Sequence, residues 1–351
     1  MRLGYLITTT RMKVGILGAG QLAQLLAQSA YSLGLETLCF TDSPDVPAAR
    51  FSPLYLGSLH DEKALRGFAK QCDVITLENE NITPEILDRL AQYTPVLPDQ
   101  KAIQIAQDRF TEKSFLQRLN IPTPHFAVVD SLDNLNTAIA SIGLPALLKT
   151  RRFGYDGKGQ VILHDSQEAA SAWETIKHVP AILEAWIPFE HEVSLIGARN
   201  RAGATVYYPL IKNTHEQGIL RFSESPFISP ALQALAEQYM QTLFNALNYM
   251  GVLAFEFFVK DTQLIANEIA PRVHNSGHLT IEGFNVSQFE NHLRSILNFP
   301  LIKPVLRTPT KMTNMIGTLP TLTTQDYQNA HIYYYGKTPR TGRKLGHVTQ
   351  Y

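Results

Sequence analysis

Residues 148–161 read LKTRRFGYDGKGQV: Gly154, Gly157 and Gly159 with Lys149, Arg151, Arg152 and Lys158, set between two strand-like apolar runs. Glycine exposes backbone N–H groups and lets the chain approach a ligand closely, while Lys and Arg neutralise phosphate charge. The loop therefore suits a nucleoside triphosphate. Its spacing matches neither the Walker loop nor the kinase glycine loop. Taken alone, the same composition also describes a solvated hairpin turn, so the flanking segments decide.

Downstream, GVLAFEFFV (251–259) and LIANEIA (264–270) are apolar strands separated by a polar turn. A hairpin closing about Thr262 brings Glu256 opposite Glu268, and cross-strand partners share a face. Opposed like charges repel unless a cation lies between them, and carboxylate oxygens with open water positions suit Mg²⁺ bridging phosphates. The plainer alternative is a frayed hairpin edge with one solvated Glu. PRVHNSGH (271–278) follows at once and crowds Arg272, His274, Asn275 and Ser276 behind the pair. Such fixed donors suit a second anionic substrate beside a terminal phosphate.

Upstream, KVGILGAG, a helical stretch over 21–34 and LETLCF form a strand, glycine turn, helix and strand. A helix over 62–71, a strand over 73–77, a helix opened by Thr83-Pro84 and a short strand near 95–97 continue the alternation. The pattern implies a parallel sheet wrapped by helices. Gly18-Ala19-Gly20 with Asp42, about twenty residues on, has the form of a dinucleotide fingerprint, although glycines there often serve only the turn. A helix over 101–120 ends at Ile121-Pro122-Thr123-Pro124, where a domain boundary falls. Beyond it shorter strands, hairpins and two helices, over 230–247 behind Ser229 and over 287–297, give an α+β texture.

The 351 residues predict two or three domains. Lys plus Arg and Asp plus Glu both total 31, so no bulk positive field exists to hold nucleic acid or an anionic membrane. With 44% hydrophobic and 18% charged residues, neither disorder nor a fibrous repeat is supported. Cys39 and Cys72 cannot make a disulfide framework, which points to the reducing cytoplasm. No apolar run is long enough for a transmembrane helix. Residues 1–12 lack a signal-peptide pattern, and the first strand starts directly after Met12, the expected natural start. The basic stretch KTPRTGRKLGH (337–347) reads by itself as a solvated tail.

In chain order, GAGQL, QDRFTEK, IPTP, LKTRRFGYDGKGQ, EAWIPFEHEVSLI, YPLIKNTHEQGIL, NEIAPRVHNSGH, SQFENHLR and GRKLGH closely resemble the ATP-dependent N5-carboxyaminoimidazole ribonucleotide synthetases of purine biosynthesis, members of the ATP-grasp superfamily. The resemblance covers nearly the whole chain from Met12. It implies an ATP-grasp fold, part α/β and part α+β. A Rossmann-like pre-ATP-grasp domain would span 1–104, with 1–11 a leader extension. The ATP-grasp domain would span 105–300 with its lid at about 122–190, and a small β-rich domain 301–351. The implied reaction converts ATP, bicarbonate and 5-aminoimidazole ribonucleotide to ADP, phosphate and the N5-carboxylated ribonucleotide through carboxyphosphate. ATP and Mg²⁺ (or Mn²⁺) are the implied cofactors, a cytoplasmic homodimer the implied state, and small molecules the partners.

By the same resemblance, Arg109 and Lys149 contact the ATP phosphates and adenine side, and Gly154, Tyr155, Asp156, Gly157, Lys158, Gly159 and Gln160 form the lid. Glu184, Ala185, Trp186 and Ile187 line the adenine pocket, where backbone groups read the base. Glu192 takes the ribose hydroxyls, His215 lies near the nucleotide, and Asn267 sits beside the metal carboxylates Glu256 and Glu268. Tyr155, Asp156, Lys158, Arg272, His274, Asn275 and Ser276 form the bicarbonate and ribonucleotide side, with Asp156, Lys158, Arg272, His274 and Asn275 as the catalytic group. Gln21 and Leu22 border the ribonucleotide pocket, Lys337 and Arg343 reach its phosphate, and Asp42 loses its dinucleotide role.

Two departures stand out. Phe153 occupies a place where a glycine often precedes GYDG, which stiffens the lid's first hinge. The chain stops at Tyr351 where relatives usually continue, so an incomplete C-terminal domain is expected. Three other readings remain distinguishable: a formate-dependent purine ribonucleotide transformylase needing formate in place of bicarbonate, an NAD-dependent oxidoreductase built on GAGQLA, and a nucleotide-binding protein without turnover.

Overall fold

The computed structural model describes residues 12–154, 157–321, 323, 328 and 330–351. Expectations for residues 1–11 and for Tyr155 and Asp156 lie outside the described residues. Among the described residues, no helix is long and apolar enough to cross a membrane.

β1 (Lys13–Leu17), α1 (Gln21–Ser32), β2 (Glu36–Thr41), β3 (Leu54–Leu56), α2 (Glu62–Ala69), β4 (Val74–Leu77) and α3 (Pro84–Ala91) build the expected βαβ domain. Its sheet is wholly parallel, in the order β3-β2-β1-β4. Val14, Ile16, Leu17, Val74, Ile75 and Leu77 are buried, the continuous apolar runs that a sheet covered on both faces requires. The strand expected near 95–97 is reduced to one parallel bridge between Ile75 and Val96. Pro95, whose backbone faces β4 in this register, supplies no N–H, so the ladder cannot extend back from the bridge.

The helix expected over 101–120 is two helices, α4 (Gln100–Ala106) and α5 (Arg109–Arg118). Asp108 makes the break. Its carboxylate accepts the backbone N–H groups of Phe110 and Thr111, both at 3.1 Å, which demands extended backbone at the cap. It also binds Arg151 and Arg152 at 3.0 and 3.2 Å. The consequence is that Arg109 opens α5 beside the cleft.

β5 (Phe126–Val129), α6 (Leu132–Ile142), β6 (Ala146–Thr150), β7 (Gln160–Leu163), α7 (Ala169–Thr175) and β8 (Ala181–Ala185) occupy the segment expected as the lid and build an antiparallel sheet of order β5-β8-β6-β7, called the lid sheet below. α6 and α7 stand where only strands and hairpins were expected. They bury Leu135, Ile139 and Trp173 against the sheet. Ser131 caps α6 through Asn134 N–H, and Gly143 ends it.

The remaining elements are β9 (His191–Arg199), β10 (Thr205–Tyr207), β11 (Ile211–Glu216), β12 (Ile219–Ser225), α8 (Pro230–Leu247), β13 (Gly251–Lys260), β14 (Gln263–Ala270), α9 (Thr280–Gly283), α10 (Gln288–Ile296), β15 (Thr310–Ile316), β16 (Ala330–Tyr334) and β17 (Lys344–Gln350). Among the described residues the strands form one nine-stranded antiparallel sheet, β14-β13-β9-β11-β12-β15-β17-β16, with β10 beside β9. The C-terminal strands thus join the central sheet, where β15 pairs with β12. Alternation along β9 and β13 divides the core. Leu195, Leu253 and Phe255 face α8, whereas Ile196, Val252 and Ala254 face α10 and, through Leu26 and Ala30 of α1, the N-terminal domain.

Candidate active site

A cleft of about 790 Å³ opens between the lid sheet, the central sheet and the start of α1. Its floor is the β13–β14 hairpin. The turn is Asp261-Thr262, both left-handed (φ 48° and 64°), which pairs Lys260 with Gln263. A regular ladder from that turn would set Glu256 opposite Asn267. A β-bulge between Glu256 and Phe257 skips Asn267 and sets Glu256 opposite Glu268. The expected pairing therefore holds, through a bulge that a uniform hairpin does not contain. Lys113 from α5, itself 0% exposed, donates to the Asn267 carbonyl oxygen at 2.9 Å and pins the bulge.

The two carboxyls have opposite environments. Burial would raise Glu268, but Arg109, whose Nη1 lies 3.1 Å from its Oε2, holds it down at about 2. Glu256 is pushed up to about 7 by burial and by the neighbouring Glu268 charge, and its Oε1 is buried without a hydrogen-bond partner. Asn267 Oδ1 is likewise unpaired. Three oxygen donors of this kind fit a hard divalent cation. No group of three or more His, Cys, Asp or Glu able to hold a metal alone occurs among the described residues.

On the lid side, Lys149 of β6 lies 2.8 Å from Glu184 Oε2 and Lys113 lies 3.3 Å from Oε1. Burial opposes ionisation of Glu184, yet Lys113 and Lys149 hold it at about 2. Burial, reinforced by Lys113 and Arg109, lowers Lys149 despite Glu184. The Glu184 side chain is thus a buried counter-ion. In the following segment, Ala185 N–H donates to His125 O and Trp186 N–H to Pro145 O, while Ile187 N–H donates to no backbone carbonyl among the described residues. Glu192 Oε2 and His215 Nδ1 are 2.7 Å apart on neighbouring strands. Phe189 and Phe258, stacked at 4.8 Å, add an apolar wall. Glycine is required where the lid meets the β11–β12 turn: a Cβ on Gly157 would lie 2.5 Å from Gln217 O, and one on Gly218 2.5 Å from Gly157 Cα. Phe153 is left-handed at φ 60° and 72% exposed, a backbone conformation in which glycine is unstrained and Phe is not.

At the opposite end, the GAG turn is already filled. Glu78, just after β4, accepts Gly20 N–H at 2.7 Å and Ala23 N–H at 3.1 Å, occupying the helix N-terminus where a dinucleotide pyrophosphate would sit. A Cβ on Gly18 or Gly20 would strike that carboxylate at 2.5 or 2.8 Å. This excludes the dinucleotide reading of GAGQLA on geometry. Arg272 grips Glu80 at 2.5 and 3.2 Å, and burial followed by the Arg272 charge drives His274 down to about 3. Both amide atoms of Asn275 are buried and unpaired. Lys337, on the loop after β16, hydrogen-bonds Gln21 Oε1.

The cleft brings together Gln21, Leu22, Arg109, Lys149, Gly154, Gly157, Lys158, Gln160, Glu184, Ala185, Trp186, Ile187, Glu192, His215, Glu256, Asn267, Glu268, Arg272, His274 and Asn275. Gly159, Ser276, Lys337 and Arg343 do not line it, Lys337 meeting it only through Gln21. Gly159 backs onto Thr150, Ser276 is fully buried behind His274, and Arg343 Nη1 donates to Thr338 O. Glu78, Glu80 and Phe258 line it without having been singled out in the sequence, and Lys344, within the stretch that reads by itself as a solvated tail, lines it too. The signal for the first two was the acidic LENEN run at the carboxyl end of a parallel strand, the edge where such sheets bind ligands. Lys113, although within QDRFTEK, carried no distinguishing signal.

Family models match in three consecutive blocks: a ribonucleotide synthetase preATP-grasp domain over residues 11–107, an ATP-grasp domain over 114–289, and a phosphoribosylaminoimidazole carboxylase C-terminal domain over 310–351. The N5-carboxyaminoimidazole ribonucleotide synthase of Pseudomonas aeruginosa is 45% identical over 339 residues, covering 96% of this chain and 94% of that protein. The crystal structure of the Thermus thermophilus synthetase superposes with a TM-score of 0.91 at 44% identity, covering 96% of this chain and 93% of that one. The Aspergillus clavatus enzyme, solved with ADP and 5-aminoimidazole ribonucleotide, superposes with a TM-score of 0.88 at 30% identity, covering 97% and 93%.

Proposed function

The chain belongs to the N5-carboxyaminoimidazole ribonucleotide synthase family of ATP-grasp ligases, and from that premise we propose how its own residues carry the reaction. A bicarbonate oxygen attacks the γ-phosphorus of ATP with ADP leaving. The amine of 5-aminoimidazole ribonucleotide then takes the carboxyl group as phosphate departs. Such chemistry needs positioning and cations rather than a covalent side-chain nucleophile, and the cleft offers the former.

Arg109, Lys149 and the 154–160 lid would hold the phosphates, with Ala185 to Ile187 against the adenine and Glu192 with His215 at the ribose. Glu256 and Glu268, beside Asn267, would hold Mg²⁺ (or Mn²⁺), and the unpaired Glu256 Oε1 supports this choice. When bound, the ion supplies charge neutralisation at the phosphates. Arg272, His274 and Asn275 would face bicarbonate and the amine. Gln21, Leu22 and Lys337 would border the ribonucleotide, Lys337 as the phosphate partner. The close lid contact at Gly157 would keep water from carboxyphosphate. Ser276 and Arg343 are reassigned to support. The two free thiols, Cys39 and Cys72, support a cytoplasmic setting, and the family resemblance a homodimer, which light scattering would read.

The observation that carries this reading is the Glu256–Glu268 pair facing Arg109 and Lys149 on one side and Arg272, His274 and Asn275 on the other, in one cleft. The test is ADP release from purified protein with Mg²⁺-ATP and bicarbonate, with and without 5-aminoimidazole ribonucleotide. Strong stimulation by the ribonucleotide is expected. Release that needs formate in place of bicarbonate, or ATP binding without turnover, would overturn it.

A further inference from the structure

Beneath the cleft, a line of buried hydroxyl and amide side chains crosses the central sheet and ends on His274. Ser223 Oγ on β12 donates to Asn213 Oδ1 on β11 at 2.9 Å, and Asn213 Nδ2 donates to Ser194 Oγ on β9 at 3.1 Å. Ser194 Oγ donates to Ser276 Oγ at 2.8 Å, and Ser276 Oγ lies 2.9 Å from His274 Nδ1. Ser194, Ser223 and Ser276 are 0% exposed and Asn213 4%. Asn213 and Ser223 are direct cross-strand partners, so register brings them to one face.

The line has only one consistent polarity. The Asn213 Nδ2 group can only donate, so Ser194 Oγ accepts there and its single hydrogen passes to Ser276 Oγ. Ser276 Oγ, already accepting, gives its own hydrogen to His274 Nδ1. From the other end, the Ser276 backbone N–H, also only a donor, lies 3.3 Å from the same Nδ1. Turning the Asn213 amide over would reverse the line and set an Nδ1–H against that backbone N–H, so the backbone amide fixes the sense. A neutral imidazole that accepts at Nδ1 carries its hydrogen on Nε2. Nε2 has no protein partner among the described residues, while the ring lines the cleft. Glu256 Oε1 is 3.7 Å from Nδ1, beyond hydrogen-bond reach.

We propose that His274 acts as a neutral hydrogen-bond donor through Nε2 to an anionic oxygen of the carboxyl-bearing substrate, and that Ser276, Ser194, Asn213 and Ser223 are positioning residues that hold this tautomer. His274 is then not the group that takes the amine proton. The substrate part rests on the reading of the cleft given above; the tautomer part does not.

The first test uses the full chain labelled with ¹⁵N-histidine, whose long-range ¹H–¹⁵N spectrum reports which ring nitrogen is protonated. His274 is assigned by its loss in His274→Gln or, if that variant does not fold, by its displacement in Ser194→Ala. Bare Nδ1 and protonated Nε2 at neutral pH are expected; hydrogen on Nδ1, or on both nitrogens, overturns the assignment without any turnover being measured. Kinetics test the role. His274→Gln keeps an amide donor that cannot serve as a base, so its kcat/KM for bicarbonate should exceed that of His274→Leu by about tenfold. Equal loss in both rejects the donor role. Ser194 does not itself line the cleft, and Ser194→Ala should lower kcat about fivefold, leave the KM for ATP unchanged and mix the His274 tautomers. Wild-type kinetics with a wild-type spectrum reject the positioning role.

Discussion

Lys113→Met tests whether a buried cation sets the register of the carboxylate pair. The ammonium donates at 2.9 Å to the carbonyl of Asn267, the residue skipped by the bulge, and lies 3.3 Å from Glu184 Oε1. Methionine keeps the packing of the stem and removes the charge. The Asn267 carbonyl then loses its donor in a buried setting, at about 1–3 kcal/mol. Breaking a lone buried ion pair costs about 3–5 kcal/mol, but Glu184 keeps Lys149 at 2.8 Å and needs less. The net loss of stability should be about 2–4 kcal/mol. Without the pin, the hairpin relaxes toward regular pairing from its turn, and a slip of one residue turns Glu268 to the other face. The assay is a urea midpoint at unchanged m-value, with ADP release measured against Mg²⁺-ATP. A lower midpoint and a KM for Mg²⁺-ATP raised about tenfold are expected, with Lys113→Arg between the two. A midpoint shift worth less than about 0.5 kcal/mol, with wild-type ATP dependence, would refute the reasoning.

Glu268→Gln should nearly abolish turnover with unchanged circular dichroism, because it removes the ionised member of the pair; activity within a factor of a few of wild type would reject the metal assignment. Burial lowers Lys337 to about 8, so its positive charge is present below that pH and lost above it. kcat/KM for the ribonucleotide should therefore fall as pH rises through about 8, and Lys337→Met should lower the plateau and remove that limb. An identical alkaline limb in the variant would exclude a phosphate contact. Glu184, held at about 2 in the fold by its two lysines against an ordinary 4.5, stabilises the protein fully above 4.5 and loses that contribution as pH falls toward 2. The loss is about 3 kcal/mol in all, about 2 of it by pH 3, visible as a urea midpoint that falls from pH 5 toward pH 2; a flat midpoint would contradict the buried triad.

The parts of the fold legible in the sequence are those with local causes. The KVGILGAG strand and turn, the hairpin strands around Glu256 and Glu268, and the crowd at 271–278 all appear where periodicity and spacing put them. The errors were also physical. The break at Asp108 depends on a cap whose carboxylate is further held by Arg151 and Arg152, more than forty positions away. α6 carries apolar positions at 132, 135, 139 and 142 ending at Gly143, a helical period masked by its β-rich surroundings. The Glu256–Glu268 pairing was reached from a symmetric hairpin, whereas the molecule reaches it through a two-residue turn and a compensating bulge.

By itself, the sequence determined that this chain alternates strands and helices before an α+β body, and that two glycine loops, two facing carboxylates and a cluster of donors lie along it. Only the tertiary structure decided what each of them faces. Glu78 reaches the GAG turn from 58 residues away and turns a dinucleotide motif into a self-capped helix. Lys113 reaches Asn267 from 154 residues away and sets the bulge. Ser194 reaches Ser276 from 82 residues away and sets the hydrogen on His274. Spacing along the chain specifies which backbone forms, because those forces act within a few residues. Charge and hydrogen-bond partners are chosen by distances of about 3 Å in a desolvated interior, and only the packed fold sets those distances.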